Sequence, residues 1–171
     1  TLSNDDINAI MSYLEGKKEE ATNSKYEDQD HAYIPYKIKG YTRFTDSKGL
    51  PAIGPPWGTL NAIDLNTGAY LWKKTLGYEP ALNIKDTGSE NYGGPLITAS
   101  GLLFIAATKD GHLRVFDQKT GDILREIKLP FPSFATPATY MINGKQYIVL
   151  ACGGTKLGTP KGNQYVAFAL N

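Results

Sequence analysis

The sequence predicts an all-β chain: about three four-stranded antiparallel sheets repeated as blades of a partial β-propeller or similar array. The last blade is incomplete, and one short N-terminal α-helix stands in front. Two observations carry this expectation. Turn formers and aromatics are abundant, with 18 glycines, 10 prolines, 11 tyrosines, 6 phenylalanines and 2 tryptophans, the mixture that joins many short strands through tight turns. A strand–turn segment also recurs. Asn61-Ala62-Ile63-Asp64-Leu65-Asn66-Thr67-Gly68 and Arg114-Val115-Phe116-Asp117-Gln118-Lys119-Thr120-Gly121 share their apolar residue, aspartate, threonine and glycine. A period of roughly 50 residues holding several strands marks blades or a similar array.

Helical periodicity is confined to the first sixteen residues. Ile7, Ile10, Met11 and Leu14 recur at helical spacing, Ser3 is placed to cap, Asp5 and Asp6 suit the positive end of the dipole, and Gly16 suits the stop. A helix with such an apolar face is expected to pack on something. Residues 17–31 are polar and without period and read as a linker. The blades then occupy 32–171. In the second repeat four strands are expected, over 95–98, 102–107, 113–117 and 123–129. A third copy, Val166-Ala167-Phe168-Ala169, lacks the turn, so its blade lacks an outer strand. Gly94-Pro95 and Thr136-Pro137 correspond, which leaves extra residues in the last copy between Cys152 and Tyr165.

Turn parity locates a site. In an antiparallel meander successive turns alternate between the two edges of the sheet. The tight turns at 99–101 and 118–121 share one rim. The long connections 45–58, 77–94, 108–111, 130–136 and 153–163 share the other, where binding residues are expected.

Charge and cysteine usage exclude several functions. Lysine and arginine total 18 against 17 acidic residues in 171, a formal net charge of +1; a nucleic-acid partner would call for a basic excess. With 41% hydrophobic residues the chain has enough apolar content for a packed core. No apolar run approaches the roughly 20 residues of a membrane helix. The single cysteine, Cys152, excludes an internal disulfide and a cysteine zinc cage, and its apolar neighbours make it a buried small hydrophobe. His31 and His112 have no partners at metal-ligand spacing, so no metal ligands are assigned. The glycine pairs at 93–94 and 153–154 lack the strand-to-helix setting of a phosphate cradle. The opening Thr1-Leu2-Ser3 is neither a signal peptide nor a usual initiator, so a longer parent protein is expected.

The two Asp-x-x-Thr-Gly turns are read first as architecture: aspartate accepts backbone N–H bonds and glycine supplies positive φ. Trp72, four residues after Gly68, is expected to wedge between blades; Arg125 holds the equivalent place in the second copy. Ala62-x-Asp64-x-x-Thr67-Gly68-x-x-x-Trp72 resembles the tryptophan docking motif of the quinoprotein dehydrogenases, eight-bladed propellers that bind pyrroloquinoline quinone (PQQ). Pro55-Pro56-Trp57-Gly58-Thr59-Leu60, Tyr92-Gly93-Gly94-Pro95, Phe104-Ile105-Ala106-Ala107-Thr108, Ala135-Thr136-Pro137-Ala138-Thr139-Tyr140, Gly144-Lys145-Gln146-Tyr147 and Tyr165-Val166-Ala167-Phe168-Ala169-Leu170 resemble the C-terminal blades of the membrane-bound glucose dehydrogenase group. Residues 1–16 resemble the closing helix of a cytochrome c domain, although no Cys-x-x-Cys-His occurs.

The resemblance implies oxidation of an aldose or alcohol by hydride transfer to PQQ. A calcium ion and an aspartate base would be supplied mostly by blades outside this chain, which alone would be inactive and hold no cofactor. It implies a periplasmic parent, with membrane association allowed, haem c in an upstream domain, and a quinone or cytochrome as electron acceptor. On the rim it implies Asp110 as a cofactor-pocket residue and helper, with Lys109 beside it, and the alternative that Asp110-Gly111 is simply a tight turn. It brings Trp57 near the quinone, against burial between blades, and adds Tyr92. Thr155 stands where the glucose enzymes carry histidine, which weakens glucose as the substrate; Lys156 adds a cation nearby or a solvated surface lysine. The competing reading is a cofactor-free propeller scaffold. Open blade edges imply self-association.

Overall fold

The computed structural model describes residues 3–15, 39–82 and 84–169, in two units, Thr1–Thr42 and Arg43–Asn171. In the first unit, helix α1 spans Asn4–Leu14, opened by the Ile7 N–H donating to the Ser3 carbonyl at 3.1 Å. Its apolar stripe is uncovered, with Ile7, Ile10, Met11 and Leu14 all exposed. The expected stop at Gly16 and the linker 17–31 lie outside the described residues.

Among the described residues the second unit holds nine strands in three antiparallel sheets. The first sheet pairs β1 (Thr59–Ile63) with β2 (Tyr70–Thr75). The second runs in order through β3 (Leu96–Ile97), β4 (Leu102–Ile105), β5 (His112–Asp117) and β6 (Ile123–Lys128), matching all four strands expected from the repeat. The third joins β7 (Ala138–Ile142), β8 (Lys145–Gly154) and β9 (Lys161–Ala169), with no fourth strand among the described residues. Among the described residues the first sheet has only its outer hairpin. The preceding segment carries Pro51, Pro55 and Pro56, which cannot donate to a ladder, and makes a single bridge between Thr45 and Pro51.

The repeat is visible in the register. β1 and β2 slip between Ala62 and Ile63, and β5 and β6 slip at the equivalent Val115 and Phe116. Both following turns are tied by their aspartates: the Asp64 carboxylate accepts from Asn66 N–H at 2.8 Å, and that of Asp117 from Lys119 and Thr120 N–H at 2.7 and 3.0 Å.

Strand alternation sends side chains to two separate layers. Leu103, Ile105 and Phe116 pack with Leu60 and Leu76 between the first and second sheets. Ala106 and Leu113 pack with Leu129, Leu150 and Cys152 between the second and third. The central strand β5 is therefore buried on both faces. Trp72 closes the first layer as the sequence implies. Its Nε1–H donates to the Gln118 carbonyl at 3.0 Å, and its ring lies where a Cβ on Gly121 would come within 2.6 Å. Gly121 also needs its positive φ of 70°.

Gly68 has the same backbone sign but nothing within 4 Å, which separates strain from docking. Gly68→Ala is expected to cost about 1 kcal/mol from φ alone. Gly121→Ala adds displacement of Trp72 and is expected to cost about 3 kcal/mol. Urea midpoints of the two variants measure the difference.

Candidate functional site

The long connections meet one another. Before β1, Trp57 N–H donates to the Thr87 carbonyl at 2.8 Å, and Gly58 lies so close to the Ser89 carbonyl that a Cβ would collide with it. After β2, Tyr78 N–H donates to Asp110 Oδ2 at 3.0 Å, and Lys109 N–H reaches Ser89 Oγ at 3.2 Å. Tyr92 N–H donates to the Ala107 carbonyl at 3.0 Å, Gly94 N–H to Thr136 Oγ1 at 2.9 Å, and Gly154 N–H to the Pro132 carbonyl at 3.0 Å. Every loop that parity assigns to this rim touches another.

Asp110 is the hub. Its side chain has no exposed surface. Oδ1 accepts from Thr108 Oγ1 at 2.8 Å, from His112 N–H at 3.2 Å and from Arg114 Nη1 at 3.2 Å; Oδ2 accepts from Arg114 Nη2 at 2.7 Å and from Tyr78 N–H. Arg114, also buried, turns its Nε to Glu126 at 2.7 Å. Lys128 Nζ donates to the Asp110 carbonyl at 2.6 Å, and Lys109 Nζ to Glu79 Oε2 at 2.7 Å. The His112 Nδ1 is buried without a hydrogen-bond partner, 3.5 Å from Asp110 Oδ1.

Burial alone pushes the Asp110 carboxyl up. The Arg114 hydrogen bonds and charge, with Thr108 and the Tyr78 N–H, outweigh it and hold the group below the usual carboxylate range. Arg114 is pushed down by burial and, more strongly, up by Asp110 and Glu126.

Beside this hub a cavity of about 340 Å³ is lined by Tyr78, Lys109, Lys128, Phe131 and four prolines, at the low end of ligand-site volumes of about 300–1,000 Å³. Asp110 lines it by position, while its carboxylate is spent on Arg114. Tyr92 and Thr155 lie further along the rim, both exposed, with Lys156 Nζ 4.0 Å from the Tyr92 ring centroid. Trp57 is half-buried, its Nε1–H bonded to the Ile53 carbonyl at 2.8 Å. The structure thus joins Lys109 to Asp110, sets Tyr92 beside the Thr155 loop, and ties Trp57 in through Thr87. Sequence reasoning missed Arg114, Lys128 and Glu79. The signal for Arg114 was a charge inside the apolar strand Leu113–Phe116, four residues after Asp110. Cys152 is fully buried, and burial pushes its thiol up. Among the described residues no three His, Cys, Asp or Glu side chains gather to hold a metal ion, and no helix is long and apolar enough to cross a membrane.

The sheets and rim define a class: a blade array whose long loops carry a cation-lined cavity on one face. The sequence matches the family described as glucose/ethanol/alcohol dehydrogenase, PQQ β-propeller domain, over residues 3–148, and the chain belongs to that family. It is 39% identical over 147 residues to the quinoprotein glucose dehydrogenase of Escherichia coli K12, and 37% identical over 151 residues to a quinate/shikimate dehydrogenase (quinone) of Acinetobacter baylyi. Each alignment covers 80% of this chain and 18% of the relative, so the chain spans under a fifth of those proteins. A quinohemoprotein alcohol dehydrogenase from Comamonas testosteroni aligns in structure with a TM-score of 0.48 and 31% identity, over 60% of this chain and 14% of that one.

The Asp110–Arg114 pair makes a linked prediction. The folded carboxyl titrates below its unfolded value of about 3.9, so its contribution to stability is complete above that pH and is lost as pH falls through the folded value. Asp110→Asn at neutral pH is expected to cost about 3–5 kcal/mol by stranding Arg114. Adding Arg114→Met is expected to recover part of this and to flatten the acid limb of urea midpoint against pH.

Proposed function

We propose that this chain supplies blades and part of the cofactor-side rim of a PQQ-dependent dehydrogenase that oxidises an aldose sugar or an alcohol. The observation that carries the reading is the 39% identity to a quinoprotein glucose dehydrogenase across 80% of the chain. The donor set agrees. Lys109 and Lys128 line the cavity, and the nearby carboxylates of Asp110 and Glu79 are both paired with cations, which suits a flat polyanionic quinone. Bound PQQ would supply the hydride acceptor. Lys128, bonded to a neutral carbonyl, and the donors that Lys109 keeps beside its pair with Glu79 would meet the quinone's carboxylates, Tyr78 and the prolines would exclude water, and Asp110 would help by fixing the loop on which Lys109 stands. Trp57, Tyr92 and Thr155 complete the proposed cofactor side. Calcium and the aspartate base are proposed to come mostly from blades outside this chain.

Residues 1–16 are proposed as the closing helix of a cytochrome c-like domain. The amphipathic helix α1, with Ile7, Ile10, Met11 and Leu14 on its exposed stripe, supports this. Haem c there, a quinone or cytochrome acceptor and a periplasmic setting belong to the same proposal. The full-length protein, supplied with PQQ and calcium, is expected to bind the quinone, seen in its absorbance, and to reduce a dye with sugars or polyols. Absence of both would favour a cofactor-free scaffold.

The 171-residue chain alone is proposed to self-associate. Among the described residues strand β9 pairs with β8 alone, and Tyr165 on it is 82% exposed, an open edge of the kind that recruits a further strand. Light scattering is expected to show mass rising with concentration. A strictly monomeric species would overturn this.

A further inference from the structure

The loop after β8 holds one lysine under constraint. Lys156 makes no ion pair with a described residue, and its ammonium stands 4.0 Å from the Tyr92 ring centroid. An exposed lysine ordinarily samples many positions on its flexible stem. Here the backbone on both sides is unusual. Thr155 has φ 73° and ψ −42°, and Leu157 has φ 57° and ψ 26°, left-handed conformations in residues that are not glycine. For β-branched Thr155 this is a true outlier.

The strain is held from several directions. Gly154 N–H donates to the Pro132 carbonyl at 3.0 Å, and Thr155 N–H to the Pro160 carbonyl at 3.2 Å. Thr159 returns both its N–H and its hydroxyl to the Lys156 carbonyl, at 3.1 and 2.9 Å. Gly154 itself tolerates the approach of the Pro160 carbonyl only because it lacks a Cβ. Tyr92 is equally fixed, by its own N–H on Ala107 and by Gly93, where a Cβ would come within 2.8 Å of the Phe134 carbonyl. Tyr92 as a whole remains 40% exposed. An exposed cation–π contact is weaker than the strain of a β-branched residue in this region, so the contact does not explain the loop. Strain kept in place by a surrounding framework, ending in a cation that no described residue pairs and that stands over an accessible ring, is the arrangement of a binding element.

We propose that Lys156 and Tyr92 form a carboxylate-recognition site, the ammonium pairing with the carboxylate and the ring lying along the skeleton that bears it. The proposed function enters only in naming two sources of that carboxylate, the quinone cofactor or an acidic polyhydroxy substrate. The test uses cofactor-free full-length protein, native and Lys156→Met. PQQ binding is followed by fluorescence quenching, and gluconate and glucose binding by equilibrium dialysis. Lys156→Met is expected to weaken PQQ or gluconate binding about tenfold, to leave glucose unchanged, and to be rescued by Lys156→Arg. Loss for PQQ assigns the cofactor, and loss for gluconate the substrate. Unchanged affinity for both, at an unchanged urea midpoint, overturns the site. If the native protein binds gluconate but not PQQ, and Lys156→Met weakens that binding, the dehydrogenase reading fails while the site stands; if it binds neither, both fail.

Discussion

Asp110 and Arg114 meet through two parallel contacts in the middle of a blade whose neighbouring side chains are Leu113, Val115 and Phe116. Removing a carboxylate and a guanidinium from water costs several kcal/mol per ion. The pair is retained because its remaining valences are met: Thr108 and two backbone N–H groups on the aspartate, Glu126 on the arginine. One of those N–H groups belongs to Tyr78 in the connection from the preceding sheet. The ion pair therefore ties two loops across a blade boundary, and Lys128, bonded to the Asp110 carbonyl, takes its position from the same hub. The shape of the cavity depends on this arrangement.

The opposite rim is held by other means. There Trp72 spans the first and second sheets by one hydrogen bond to a turn carbonyl and by contact with the bare face of Gly121. Tight turns, period-two apolar strands and a glycine socket tolerate no loop variation but demand no buried charge. The two rims divide the work. The tight one fixes the spacing of the blades, and the long one, with polar hubs instead of apolar contacts, presents side chains without needing to fill space.

Much of this was legible in residue types. The recurring aspartate, threonine and glycine revealed the repeat because a turn with positive φ admits few alternatives, and the equivalent bulges at Ala62 and Val115 show that the repeat is structural to the level of single hydrogen bonds. Turn parity gathered the loops from the alternation of strand directions alone. The incomplete third sheet was legible because its copy of the repeat lacks the turn, whereas the two-stranded first sheet was not, since prolines at 51, 55 and 56 act through missing donors and leave the apolar pattern intact. Arg114 escaped because pairing across the strand and loop depends on three-dimensional register. Asp110 was singled out, but its engagement by five donors could not be counted from sequence.

The conformation of Thr155 marks the limit of such reading. Composition assigns glycine to left-handed positions, and the sequence places glycines at 153, 154 and 158 around this loop, yet the chain puts Thr155 and Leu157 there as well. A run in which the permissive residues are present but the strained positions are occupied by others is stable only if the flanking bonds to Pro132, Pro160 and Thr159 exceed the cost. The bonds to Pro160 and within Thr159–Lys156 close the loop on itself, and the one to the Pro132 carbonyl, from a segment distant in the chain, ties the strained loop to the rim. The placement of Lys156 over Tyr92 is thereby coupled to the same blade contacts that bury Leu150 and Cys152, and the rim and the core behave as one structural unit.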